Sequence, residues 1–218
     1  GARCLWKAEG STANDPRCQA PASGRFDVLI GDSHAAMLAS AIASGRLAQI
    51  TAVGCPVADI VSGVGSPCLS HLRERAGTVD WSRVDRIILT GRWREISGAS
   101  GSEHAAATIA HFARLAPLTV IGPTPEFRGN VPKLLARARL RHDDGIVAES
   151  FDGSVIEIDR KLQQLAGSAG VRYVSALKAA CGNDPPARCM VMVGDEPAYT
   201  DRDHLTLSGA KILETQMR

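Results

Sequence analysis

Aromatic residues are scarce, at 4% of the 218-residue chain. That is too few for the stacking platforms on which single-stranded nucleic acids lie. No block of like charge is present either. Lys and Arg number 25 against 23 Asp and Glu, a formal charge of +2, so the chain has no basic stripe for nucleic acid. No apolar stretch approaches the roughly 18 residues that span a bilayer. None of the six cysteines stands in a Cys-x-x-Cys pair, the spacing of zinc ribbons and redox sites. His71, His104, His111 and His142 also lack ligand-like spacing, so no metal site is expected. Gly1-Ala2-Arg3-Cys4 reads as neither a signal peptide nor a natural initiator, and is expected to be the start of a processed or excised fragment.

What is present is an ordinary globular composition, 44% hydrophobic and 22% charged, enough for one domain with a substantial core. Residues 1–24 are rich in Gly, Ser, Pro, Ala and Asn without apolar periodicity. They read as an extension packed on a domain of residues 25–218, with Trp6 as its anchor. The cysteines fall into three local couples, which predicts disulfides Cys4–Cys18, Cys55–Cys68 and Cys181–Cys189. Each would contribute about 3 kcal/mol by constraining the unfolded chain. Their loop-like flanks (Pro56, Pro67, Gly182, Pro185, Pro186) point to an oxidising, extracytoplasmic compartment.

The organising stretch is Phe26-Asp27-Val28-Leu29-Ile30-Gly31-Asp32-Ser33-His34. Its apolar run predicts a buried strand, and a helix-compatible segment begins at Ala35. Ser33 therefore falls where a strand turns into a helix N-terminus, with its hydroxyl presented and backbone N–H groups unpaired. Asp32 is a suitable cap. Further strands are expected at 47–53, 86–90, 118–121 and 171–174, alternating with helices, the longest over 148–166. A hairpin arm is expected around Met190-Val191-Met192-Val193. The pattern predicts an α/β fold, a three-layer α/β/α sandwich around a mostly parallel five-stranded sheet of flavodoxin-like type. In such sheets ligands bind outside the carboxyl ends of the strands. The loops at Ser33, Gly54 and Gly91-Arg92-Trp93 all lie at those ends.

Near the other terminus the chain reads Tyr199-Thr200-Asp201-Arg202-Asp203-His204-Leu205. Within one helical turn Asp201 would face His204. A carboxylate on imidazole Nδ1 fixes the tautomer and leaves Nε2 to take a hydroxyl proton. A serine hydroxyl is a weak nucleophile until a base does so, and Ser33 supplies one. Asp203 is expected to face away from His204, as a solvated or capping residue.

Gly31-Asp32-Ser33-His34 with Asp201-x-x-His204 resembles the SGNH (GDSL-like) hydrolase superfamily. Gly31-Asp32-Ser33-His34-Ala35-Ala36, Gly54-Cys55-Pro56, Arg92-Trp93 and Tyr199-x-Asp201-x-Asp203-His204-Leu205-x-x-x-Gly209-Ala210 narrow the likeness. They are similar to the C-terminal SGNH domains fused to membrane acyltransferase-3 proteins. The resemblance implies Ser33 as nucleophile, His204 as base and Asp201 as orienting acid. It also implies oxyanion donors at the Ser33 and Gly54 backbone N–H groups. The superfamily's third donor, an Asn, has no counterpart in Gly91-Arg92-Trp93-Arg94. Arg92 could replace it, hold an acidic or sugar group, or form a structural salt bridge, and Trp93 could stack on a sugar.

The function implied is a periplasmic O-acetyltransferase domain of an inner-membrane protein, acting on a surface polysaccharide such as lipopolysaccharide O-antigen through an acetyl-serine intermediate. Its partner would be the membrane acyltransferase-3 domain, which supplies acetyl groups ultimately from acetyl-CoA, with no cofactor in this domain. The alternatives are a carbohydrate or lipid O-acetylesterase with the same residues and a non-catalytic glycan-binding domain.

Overall fold

Strand β2 (Phe26–Gly31) lies near the middle of the sheet, and all of it but Asp27 is buried. It pairs in parallel with β3 (Leu47–Ala52) on one side and β4 (Val84–Thr90) on the other. β5 (Leu118–Ile121) and β6 (Arg172–Val174) extend the sheet beyond β4. The computed structural model describes residues 4–7, 15, 18–42, 46–62 and 65–217.

The sheet has six strands where five were expected, in the order β1-β3-β2-β4-β5-β6. The added strand is β1 (Leu5–Trp6), which pairs in parallel with the outer edge of β3. Two residues carry no readable period, so β1 is invisible in the sequence. It is tied down by the Cys4–Cys18 disulfide and by the Val53 N–H donating to the Trp6 carbonyl. Cys55–Cys68 and Cys181–Cys189 are the other two disulfides, and the described residues include no free cysteine.

Alternation along the strands divides the core between the two faces of the sheet. Val28, Ile30, Ile87, Leu89 and Val120 pack under α2 (Pro67–Gly77), α3 (Ala99–Ala113) and α6 (Ser154–Ser168). Leu29, Ile88 and Ile121 pack on the other side under α1 (Ser33–Ala39), α4 (Val131–Arg141), α7 (Ala176–Cys181) and α8 (Leu207–Met217). The helix expected over 148–166 is broken in two, α5 (Gly145–Glu149) and α6. Phe151 lies between them, bridging to Phe127, and Gly153 is the N-cap of the second helix. The arm before α8 is the hairpin β7 (Met192–Val193) and β8 (Glu196–Pro197). No helix of the described residues is long and apolar enough to cross a membrane.

Gly31 closes β2 because nothing larger fits. A Cβ there would lie 1.8 Å from the Thr90 carbonyl oxygen and 2.6 Å from the Ala35 Cβ. The first neighbour is backbone and cannot swing aside. Gly31→Ala is expected to destabilise the fold by about 3 kcal/mol, the upper end of overpacking costs. The measurement is the urea midpoint at unchanged m-value.

Candidate active site

The turn after β2 is held from both sides by one carboxylate. Asp32 caps α1, its Oδ1 accepting from the His34 N–H at 2.7 Å. Its Oδ2 accepts from the Arg92 N–H at 2.9 Å, fastening the loop beyond β4 to the same turn. Ser33 is the first residue of α1 and is partly exposed. The first bond of the helical ladder runs from the Ala36 N–H to the Asp32 carbonyl, so the Ser33 N–H lies ahead of the ladder, directed as N-terminal amides are.

His204 comes from a loop 171 residues away in sequence. Its Nε2 lies 2.8 Å from the Ser33 Oγ. Its Nδ1 lies 2.9 Å from Asp201 Oδ2, in hydrogen-bonding alignment. Carboxylates only accept, so Nδ1 carries a proton, and when the ring is neutral Nε2 is left to accept from the Ser33 hydroxyl. The backbone here is a turn and not the start of a helix: α8 begins only at Leu207. Asp201 Oδ1 closes that turn, accepting from the N–H groups of Asp203 and His204 at 2.9 and 2.8 Å.

The turn overrides the expectation for Asp203. It is buried at 4% exposure, and its Oδ1 also lies 2.9 Å from His204 Nδ1. Helical geometry would have sent it away from the imidazole, but a tight turn folds it back. Its Oδ2 receives the Arg92 guanidinium at 2.9 Å. Although burial pushes the Asp203 carboxyl up, its hydrogen bond with His204 and the Arg92 charge hold it well below the usual carboxylate range. His204 is raised to about 9, chiefly by the hydrogen bond with Asp203 and further by Asp201, against the opposing effect of burial.

Arg92 makes its ion pairs through Nε and Nη2. Beyond Asp203 it meets Glu126, which is 1% exposed, with Nη2 at 2.8 Å and Nε at 3.2 Å from Oε2. Arg94 joins Glu126 at 2.5 Å and Asp152 at 2.6 Å. With its backbone N–H on Asp32 and its guanidinium on two carboxylates, Arg92 is a salt-bridge residue. Of the three roles expected for Arg92, the salt bridge is the one its contacts show. The expectation of a sugar-stacking Trp93 is corrected. Trp93 adopts a left-handed backbone (φ 61°), is fully buried, and its indole N–H donates to the Ile121 carbonyl at 3.0 Å.

Gly54 stands exposed just past the carboxyl end of β3, at φ 60°. Gly31 pairs with Thr51, so Gly54 and Ser33 extend from neighbouring strand ends. A groove of about 590 Å³ opens beside Gly54, lined by Trp6, Lys7, Val53, Ser66, Pro67 and Cys68. Behind His204, the His34 ring lies 4.9 Å away, 2% exposed, with Nδ1 against the Thr124 Oγ1 and Nε2 unpartnered. Burial lowers its pKa. His34, Asp203 and His204 place three donor atoms within 4.8 Å of one another. Arg92 already supplies the positive charge at that point, so the cluster reads as an ionic network.

Sequence reasoning missed Glu126 and misjudged Asp203. Glu126 follows Gly122-Pro123-Thr124-Pro125 at the carboxyl end of β5, the one signal that could have found it.

No curated protein sequence matches the chain. Among solved structures it is similar to the periplasmic domain of a lipopolysaccharide acetyltransferase from Salmonella ser. Paratyphi A. The two are 20% identical, with 99% of this chain and 90% of that one covered, at a TM-score of 0.78. It is also similar to a candidate platelet activating factor from Streptococcus pneumonia (15% identical, 89% and 83% covered, TM-score 0.57). An acetylxylan esterase from Geobacillus stearothermophilus shares the fold at 14% identity, with 91% and 94% covered and a TM-score of 0.50. The family model of the SGNH domain fused to AT3 domains matches residues 3–218, and the chain belongs to that family.

Proposed function

We propose that this is an extracytoplasmic, periplasmic O-acetyltransferase domain. It takes acetyl groups from a membrane acyltransferase-3 domain and passes them to a hydroxyl of a surface polysaccharide through acetyl-Ser33. The observation that carries this reading is the 2.8 Å contact between Ser33 Oγ and His204 Nε2, in a family named for its fusion to such membrane domains. The three disulfides support the compartment, and the likeness to the Salmonella periplasmic domain supports the class of acceptor.

In this mechanism His204 Nε2 takes the Ser33 proton as Oγ attacks the acetyl carbonyl. The oxyanion is met by the N–H groups of Ser33 and Gly54. Collapse breaks the bond from the acetyl carbon to the donor's leaving group, which departs with the proton from His204. His204 then takes a proton from the acceptor hydroxyl, whose oxygen attacks acetyl-Ser33 and releases the serine. No cofactor takes part in these steps. With water as acceptor the same steps make an O-acetylesterase. That second reading is favoured by the exposure of the site, where the side chains of His204 and Asp201 are 33% and 45% accessible.

The test is intact mass after brief incubation with p-nitrophenyl acetate. One acetyl group mapping to Ser33 is expected, and its absence with the fold intact favours the glycan-binding alternative. The groove beside Gly54 is where the acceptor docks, with Trp6 as its one large aromatic. Trp6→Ala is expected to lower transfer to the polysaccharide about tenfold or more through KM. Its hydrolysis of p-nitrophenyl acetate should stay within twofold, and equal losses in both assays would remove the groove from the reading.

A further inference from the structure

His204 Nδ1 has two carboxylates at the same distance, and their surroundings differ. Asp201 Oδ2 is aligned with the ring N–H at 2.9 Å, and Asp201 Oδ1 is spent on the turn. Yet this side chain is 45% exposed, so water and salt screen its charge. Asp203 Oδ1 is equally close, 2.9 Å, but its side chain is 5% exposed. Its far oxygen is gripped by Arg92 at 2.9 Å, and Arg92 is itself braced on buried Glu126 at 2.8 Å. A charge held in a low-dielectric pocket acts on its neighbour more strongly than one at the surface.

We propose that the site divides one task between two carboxylates. Asp201 aligns the His204 ring, while Asp203, pinned from behind by Arg92, is a positioning residue that stabilises the positive charge His204 acquires with the Ser33 proton. This rests on Ser33 and His204 acting as nucleophile and base. The charged and titratable groups around His204 are few. Asp201, Arg202 and Asp203 share its loop, and His34 faces it from α1 with Asp32 just before. Arg92 reaches in from beyond β4 and Glu126 from beyond β5. Arg92 and Glu126 pair with each other, and burial lowers the His34 pKa. Asp32 is buried too, but its carboxylate accepts from the His34 and Arg92 backbone N–H groups, so Asp203 is the buried carboxylate in contact with the imidazole.

The experiment is an NMR titration of the His204 ring in the wild-type domain, in Asp203→Asn and in Asp201→Asn. It is paired with the pH profile of p-nitrophenyl acetate turnover. Asp203→Asn is expected to lower the His204 titration midpoint by more than a pH unit and to carry the profile down with it. Asp201→Asn should move the midpoint less while cutting kcat about 10²–10⁴-fold, as misaligning the base does. Raising salt from low concentration to 1 M should leave the wild-type midpoint nearly in place, because the governing anion is buried. A larger shift in Asp201→Asn than in Asp203→Asn would overturn the division. So would a wild-type midpoint near 6.5, or one that drops steeply with salt, and neither of those observations depends on the variants folding. Because the titration needs no turnover, an inactive domain would refute the catalytic reading while still deciding this one.

Discussion

Ser33→Ala should leave a folded domain that no longer acquires an acetyl group. Turnover of an activated ester should fall about 10⁴–10⁶-fold, to the level that binding and oxyanion donors alone sustain. The physical reason is that nothing nearby can substitute. Ser33 Oγ is the hydroxyl at His204 Nε2, and the neighbouring Thr124 hydroxyl is committed to His34 in a buried pocket. Structure should survive because the Ser33 side chain supports none of the fold. The α1 cap belongs to Asp32, and alanine is the better helix former at the first helical position. Thermal midpoints of the two proteins should agree within about a degree or two, the effect of a few tenths of a kcal/mol. Acetylation of Ser33→Ala at the wild-type rate, on any residue, would remove Ser33 from the chemistry. An unfolded variant would instead show that the hydroxyl has a structural role which the contacts do not reveal.

The site's two ends could be read in the sequence because each rests on a local pattern. The period changes from strand to helix across Gly31-Asp32-Ser33, and that change alone puts Ser33 at a strand's carboxyl end. Asp201 and His204 were brought together for the wrong local reason. Three-residue spacing on a helix predicts a shared face, but the chain makes a turn instead. The same substitution of turn for helix is why Asp203 was misjudged. Trp93 failed for a different reason: nothing in Gly-Arg-Trp announces a left-handed backbone that turns the indole inward. Arg92 could be narrowed only to three roles, since a guanidinium suits an oxyanion, a sugar or a carboxylate. The deciding neighbour, Glu126, is 34 residues further on, at the end of another strand. The sheet was legible where strands are long and apolar, and it failed at β1, whose pairing depends on a tertiary edge and a disulfide.

Activity of the isolated domain should climb steeply with pH. A base must be neutral to take the Ser33 proton, and His204 is raised to about 9. Below that value the neutral fraction rises about tenfold per pH unit, and at pH 7 only about 1% of the molecules hold a competent base. The kcat/KM for p-nitrophenyl acetate is therefore expected to rise some 500-fold, on the order of the change in neutral fraction between pH 6 and 9. It should level off above that. Stability should run the other way. The folded-state pKa is raised, so the stabilisation is complete below the unfolded value near 6.5 and is lost as pH rises through about 9. Partial exposure of His204 makes that loss smaller than the shift alone suggests. Turnover and stability measured on one pH series should thus cross, activity gaining where the fold weakens. A flat rate between pH 7 and 9, or an inflection near 6.5, would mean that the two carboxylates do not hold a proton on His204. With that proton in place, Nε2–H donates to Ser33 Oγ and the serine is inert. Loss of that proton is then the step that turns the resting site into a reactive one.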